Sequence, residues 1–249
     1  MTLRVLSYNI KYGGTGREDA LAAVIRAADP DVVMLQEASD PAVVKRLAEA
    51  TALPAWGARV GHSTGYLSRV GVASHAWHHP RGSRHPFLEV ELGDVGCRLF
   101  GLHLNAWFSK WSEMRRTREI RALLDGIRAH QDGFHAIAGD FNALAPGERL
   151  ELRGFPRWIR AMIWLSGRDI ARDTIQTMLD GGYADAWRTL HAGEPGYSFP
   201  TWDPHVRLDY LFTPGRYAAR IARCEVFLSP TEARAASDHF PLLVELAGE

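Results

Sequence analysis

Apolar, β-prone runs that end or begin at a polar residue recur through this chain, and they constrain its fold more than any other feature. LSYN ends at Asn9, VVMLQE at Glu37 and LFGLHLN at His103 and Asn105. HAIAG leads into Asp140 and Asn142, RLDY carries Asp209, and Asp238 and His239 stand just before FPLLVEL. Such runs read as buried strands. In an α/β sheet, strand ends on one edge converge on the usual binding crevice, so polar groups far apart in sequence can share a site. The plain alternative for any single Asp or His in such a place is a cap or turn residue.

Between these runs the pattern is mixed. Residues 17–28 have helical composition and stop before Asp29-Pro30, and residues 41–50 suit a helix with Pro41 in its first turn. From about Ala55 to His103, the runs RVGVAS, FLEVEL and CRLFGLHL alternate with Gly, His and Pro, which reads as antiparallel strands joined by turns. Residues 112–130 form a long helix, on which Arg115, Arg116, Arg118 and Arg121 are expected on a solvated face. A helical insertion is expected over 146–182. Its core PRWIRAMIWL sets Trp158, Met162 and Leu165 on one face with Ile159 and Ile163 beside it. RLDYLFTP, ARCEVFLS and HFPLLVEL then return to strand. The sum is a mixed α/β fold, read as a single domain over 1–249.

The chain has 249 residues, enough to bury a substantial core. Lys+Arg and Asp+Glu both count 29, so it lacks the net positive charge of a protein that coats nucleic acid, although a small basic cleft stays open. The opening MTLRVLSYNI has neither a long apolar core nor a small-residue cleavage site, and no run of about 18 apolar residues occurs. A cytoplasmic protein with no transmembrane segment is expected. Cys97 and Cys224, both in strand-like runs, read as reduced buried thiols.

The polar residues also fit together chemically. Four carboxylates, Glu37, Asp140, Asp209 and Asp238, with Asn side chains among them, make the oxygen-rich set that Mg²⁺ or Mn²⁺ prefers. Zinc would want a His/Cys-rich set, and neither CxxC nor HExxH is present. His103 and His239 are suited to bind or protonate a phosphoryl oxygen. No GxSxG elbow, Walker loop or GxGxxG turn occurs.

The strings SYNI (7–10), LQE (35–37), HLN (103–105), GDFNA (139–143), RLDYLF (207–212) and SDHFPL (237–242) occur in the order found in the endonuclease/exonuclease/phosphatase superfamily, which the chain resembles. The resemblance implies a four-layer α/β/β/α sandwich of two mixed β-sheets flanked by helices. It also implies a divalent-metal-dependent phosphoester hydrolase, most simply a phosphodiesterase, with water attacking in line. Glu37 looks like the principal metal ligand with Asn9 beside it, and Asp238 like a supporting or second-metal carboxylate. Asp140 looks like the group that orients or deprotonates water, with Asn142 holding the phosphate or that water. Asp209 and His239 look like the Asp–His pair, and His103 like the phosphate-contacting histidine. Some abasic-site endonucleases use a Tyr in that neighbourhood, so the chain departs from them there.

Asn105 and Trp107 then fall where substrate would lie. The aromatic string Trp107, Phe108, Trp111 could stack a base, face a lipid, or simply pack under the following helix. The insertion, with Arg157, Arg160 and Arg168, could be a lid, a peripheral lipid contact, a dimer contact or an ordinary packed helix. His62, His75, His78, His79 and His85 match no recognised zinc spacing and are expected as exposed loop residues. The superfamily cleaves DNA, RNA, nucleotides, phospholipids and inositol phosphates on one core, so the substrate stays open between nucleic acid and a lipid or small organic phosphate. An inactive binding module would lack some of the acidic and His positions, and all of them are present.

Overall fold

The structure is a computed structural model, and it describes residues 2–81, 83, 85–107, 109–148, 157, 160, 161 and 171–248. Two six-stranded mixed sheets pack face to face. The first orders its strands β11 (Ile221–Val226), β12 (Leu242–Ala247), β1 (Thr2–Asn9), β2 (Val32–Gln36), β4 (Thr64–Ser68) and β3 (Ala55–Gly57). The second runs β5 (Val72–His78), β6 (Phe87–Leu92), β7 (Cys97–His103), β8 (His135–Asp140), β10 (Asp209–Pro214) and β9 (Tyr183–Asp185). In each sheet one parallel pair, β1 with β2 and β7 with β8, is set among antiparallel neighbours.

Strand alternation divides the apolar residues into three layers. Leu3, Val5, Val32 and Met34 of the first sheet meet Leu88, Val90, Leu99, Ala136, Ala138 and Leu211 of the second. The intervening residues Leu6, Tyr8, Val33 and Leu35 face outward and are covered by α1 (Glu18–Ala28) and α2 (Pro41–Thr51) through Leu21, Ile25, Val43 and Leu47. On the far side Phe100, Leu102, Ile137, Tyr210 and Phe212 are covered by α3 (Lys110–Gly126) and α4 (Asp173–Asp180) through Ile120, Leu123, Ile175 and Met178. Burying each such aliphatic or aromatic side chain contributes about 1.5–3 kcal/mol. The four-layer α/β/β/α sandwich is therefore the way this alternation hides two apolar faces per sheet.

Local chemistry sets the helix limits. Asp40 caps α2 by accepting from the Ala42 amide at 2.9 Å, with Pro41 in the first turn. α1 stops where Asp29 turns left-handed, φ 46°, just before Pro30. α3 begins at Lys110 rather than at 112 because the Ser109 hydroxyl accepts from the Ser112 amide at 3.1 Å. It ends at Gly126, and a short 3₁₀ turn covers Arg128–His130.

Several expectations need correction. Arg116 is not on the solvated face of α3 but fully buried, bound to Glu113 at 2.7 Å and donating to the carbonyls of Asn105 and Trp107 at 2.7 and 2.8 Å. It ties the loop after β7 to the helix that follows. Of the expected loop histidines, His75 and His78 lie on β5. His85 is half-buried, 3.7 Å from the buried Glu119 carboxylate. Of the expected insertion, Asp173–Asp180 is helical and Arg157, Arg160 and Ala161 are exposed and helical. Trp158, Ile159, Met162, Ile163, Leu165 and Arg168 lie outside the described residues, as does Phe108. Cys97 and Cys224 are both free and buried. Among the described residues no helix is long and apolar enough to cross a membrane.

Candidate active site

Period-two alternation builds the site. Asn9 shares the parity of Leu3 and Val5 on β1, Asp140 that of Ala136 and Ala138 on β8, and His103 that of Cys97 and Leu99 on β7. Each therefore points between the sheets, at the end of its strand where the apolar filling stops. Register finishes the arrangement: His103 pairs with Asp140 across β7 and β8, and Asp209 pairs with Asp140 across β10 and β8. Three polar side chains thus stand in one row.

Asp140 is at the centre and 1% exposed. Its Oδ2 accepts from the Asn9 amide nitrogen at 3.0 Å and faces Nε2 of both His103, at 3.8 Å, and His239, at 3.7 Å. Its Oδ1 accepts from the backbone N–H of Asn142 at 2.9 Å, and the Asn142 side chain donates to the Leu104 carbonyl at 2.9 Å. Asn142 has φ 49°, a left-handed conformation that Asn tolerates better than most residues. Gly139, with φ 151°, cannot be replaced: a Cβ there would lie 2.0 Å from the Leu102 carbonyl oxygen of β7. The glycine lets β8 approach β7 closely just before Asp140.

His239 is held from both sides. Its Nδ1 lies 2.8 Å from Asp209 Oδ2, which also accepts from the Ser198 hydroxyl at 2.6 Å. Burial disfavours charge on this ring, but the carboxylates of Asp209 and Asp140 outweigh it and push its pKa up to about 10. Burial pushes the Asp140 carboxyl up to about 7, with the His239 charge opposing. His103 moves the other way: burial takes it down to about 4, so the ring is neutral near pH 7. The site thus combines one cationic imidazole, one neutral imidazole and a carboxyl poised near neutrality.

Glu37 enters from the first sheet. Its Oε1 accepts from Asn9 Nδ2 at 3.2 Å and its Oε2 from the Tyr12 amide at 2.6 Å. A φ of 57° places Glu37 in the left-handed region, unusual for a glutamate and held by the Gly13 and Ser39 amides on its carbonyl at 3.0 and 2.8 Å. Asn9 therefore links Glu37 to Asp140. The Asp238 carboxylate is 3.2 Å from Lys11 Nζ, and its charge is among those that raise the His239 pKa. Asn105 accepts from the Trp107 amide at 3.3 Å within its own loop, and the Trp107 side chain is 53% exposed beside it.

The donors fit a hard divalent cation. Asp140, Asp209 and His239 offer ligand atoms within 4.8 Å of one another, and Asp209 Oδ1 is buried without a hydrogen-bond partner. His239 is already committed to Asp209 and protonated, however, which suits it to carry charge rather than to bind metal. That leaves oxygen donors: Asp140 and Asp209 are buried, while Glu37 and Asp238 are partly exposed.

Sequence reasoning missed Ser198, which orients Asp209 from a Gly-Tyr-Ser-Phe-Pro string with no recognisable signature. It missed Lys11, although that residue is two positions after Asn9. It also passed over His85, whose ring lies 6.4 Å from that of His103, centroid to centroid.

The two sheets form an α/β sandwich with a buried acid/histidine cluster at one edge. The chain belongs to the Endonuclease/Exonuclease/phosphatase family, whose family model matches residues 6–239. The fold is similar to that of an endonuclease/exonuclease/phosphatase from Beutenbergia cavernae, at 21% identity and TM-score 0.72 over 99% of this chain and 72% of that one. It is also similar to the 3' phosphatase NExo from Neisseria, solved with a product DNA hairpin, at 17% identity and TM-score 0.70 over 98% and 99% of the two chains. A third likeness is to humanized D. rerio TDP2, at 19% identity and TM-score 0.68 over 99% of each chain. No curated protein sequence matches.

Proposed function

We propose that the chain is a divalent-cation-dependent phosphodiesterase that cleaves its substrate by in-line attack of water. The observation that carries this reading is the buried Asp140 carboxyl, reached at 3.7 Å by an imidazole that Asp209 keeps charged and at 3.0 Å by the Asn9 amide that also binds Glu37.

Hydrolysis of a phosphodiester needs a positioned water, charge neutralisation on the phosphoryl oxygens and help for the leaving oxygen. Asp140 accepts a hydrogen bond from the attacking water and takes its proton, and a carboxyl near pKa 7 is well matched to that task at neutral pH. The His239 imidazolium sets a fixed positive charge against the developing negative charge, and Asp209 with Ser198 keeps its ring oriented. His103, neutral, offers a ring N–H to a phosphoryl oxygen. Mg²⁺ or Mn²⁺, held chiefly by Glu37 with Asn9 and Asp140 beside it, would neutralise charge on the phosphoryl oxygens.

The test is hydrolysis of bis(p-nitrophenyl) phosphate with Mg²⁺, with Mn²⁺ and with EDTA, beside the monoester p-nitrophenyl phosphate. Metal-dependent release from the diester is expected. Release from the monoester alone would replace the reading with a phosphatase.

A further inference from the structure

The exposed apolar side chains are not scattered. Among the described residues nine large hydrophobics stand exposed, and the topology brings seven of them to the catalytic edge. Tyr12 comes after β1 and beside Glu37, and Val60 sits in the β3–β4 loop. That loop lies at the same edge because Gln36 pairs with Thr64. Leu228 follows β11, whose Val226 pairs with Leu242 at the start of β12. Trp202 lies near Phe199, which packs on the His239 ring at 4.8 Å between centroids. Trp111 and Met114, on the first turns of α3 beyond the His103 loop and its exposed Trp107, are 82% and 57% exposed.

Charge around this rim is one-sided where α3 borders it. Lys110, Arg115, Arg118 and Arg121 are exposed, whereas the acids of the same stretch, Glu113 and Glu119, are buried at 1% and 3%. The outer face from Lys110 to Arg121 is therefore cationic and apolar, in a chain of zero net charge.

We infer that the catalytic edge docks on an anionic phospholipid bilayer, so that the substrate is a lipid phosphodiester presented at that surface. The second half of this statement rests on the phosphodiesterase reading; the docking does not. Large apolar side chains around a catalytic mouth enter the headgroup region, while Lys and Arg beside them meet anionic lipid. An unpaired nucleic acid would also meet the arginines and stack on Tyr12, Trp107 and Trp202. Val60, Met114 and Leu228 have no ring to stack, and an acyl–headgroup boundary suits them as it does the aromatics.

The experiment is co-sedimentation of the full chain, in EDTA, with sucrose-loaded vesicles of phosphatidylcholine with and without phosphatidylglycerol. Binding to the phosphatidylglycerol vesicles that weakens with salt is expected. The double variant Trp111→Ala/Met114→Ala should lose about tenfold or more of that binding, with an unchanged melting temperature and unchanged cleavage of soluble bis(p-nitrophenyl) phosphate. Arg115→Glu should lose the preference for anionic lipid. No vesicle binding, equal binding by the double variant, or rim-dependent binding only to a single-stranded oligonucleotide would overturn the inference. Vesicle binding without cleavage of any diester would leave the docking standing and remove the phosphodiesterase reading.

Discussion

Asn9 and Asp140 belong to different sheets and are 131 residues apart, yet the Asn9 amide nitrogen lies 3.0 Å from Asp140 Oδ2. The same nitrogen reaches Glu37 at 3.2 Å, so one carboxamide joins the two carboxylates on which the proposed chemistry depends. A donor to a buried carboxylate favours its charged form. Asn9→Ala should therefore raise the Asp140 pKa further above its value of about 7. The acid limb of kcat/KM against pH should move to higher pH, and an unchanged limb would contradict this role.

The Asp209–His239 pair makes a prediction about stability. The folded ring holds its proton up to about pH 10, above the ordinary value of 6.5. The stabilisation from this pair is therefore present in full below about pH 6.5 and is lost as pH rises through about 10. In metal-free protein the melting temperature should fall over that interval, and His239→Gln should flatten the fall. Parallel curves for the two proteins would contradict it.

Arg207, in the RLDYLF string, is 1% exposed and pairs with Asp185 at 2.7 Å and Glu148 at 2.7 Å. Burial disfavours its charge, but the groups around it hold it charged. Asp185→Asn removes one partner from this buried cation, and Arg207→Met leaves the buried Asp185 carboxylate without the guanidinium that pairs it, while Glu148 keeps Arg188 at 2.6 Å. Each should destabilise the fold by about 3–5 kcal/mol in denaturant titration. A loss below about 1 kcal/mol would mean that solvent reaches the network.

These cases show which parts of the design are readable from residues alone. The two-residue period along LRVLSYN, CRLFGLH and HAIAGD assigns Asn9, His103 and Asp140 to one side of their strands, and the order of the strings places them at one edge. That is why the location of the cluster was legible, whereas the four-layer sandwich came from the family resemblance that the ordered strings carry. Arg116 was not, because a helix face rich in arginine gives no sign that one of them turns inward to the Asn105 and Trp107 carbonyls. Ser198 and His85 reach the site from loops, where no periodicity fixes direction. The resemblance to an Asp–His pair already implied a protonated His239, whereas the downward shift of His103, set by its burial, was hidden in the sequence.

Cation binding is separable from turnover. Glu37→Gln keeps the shape of the side chain, and its Oε1 can still accept from Asn9, but the charge is gone. Calorimetric titration with Mg²⁺ or Mn²⁺ should show affinity reduced on the order of tenfold or more. Unchanged affinity would assign the cation to Asp140 and Asp209 instead.

The most direct measurement is the rate of bis(p-nitrophenyl) phosphate cleavage at saturating Mg²⁺ or Mn²⁺ in the native protein and in Asp140→Asn. The substitution preserves volume and one of the two hydrogen bonds that the carboxylate accepts while removing the proton acceptor. A rate lower by about 10²–10⁴, with cation affinity and melting temperature largely retained, is the predicted result. A variant that cleaves at the native rate would contradict the placement of Asp140 at the centre of catalysis.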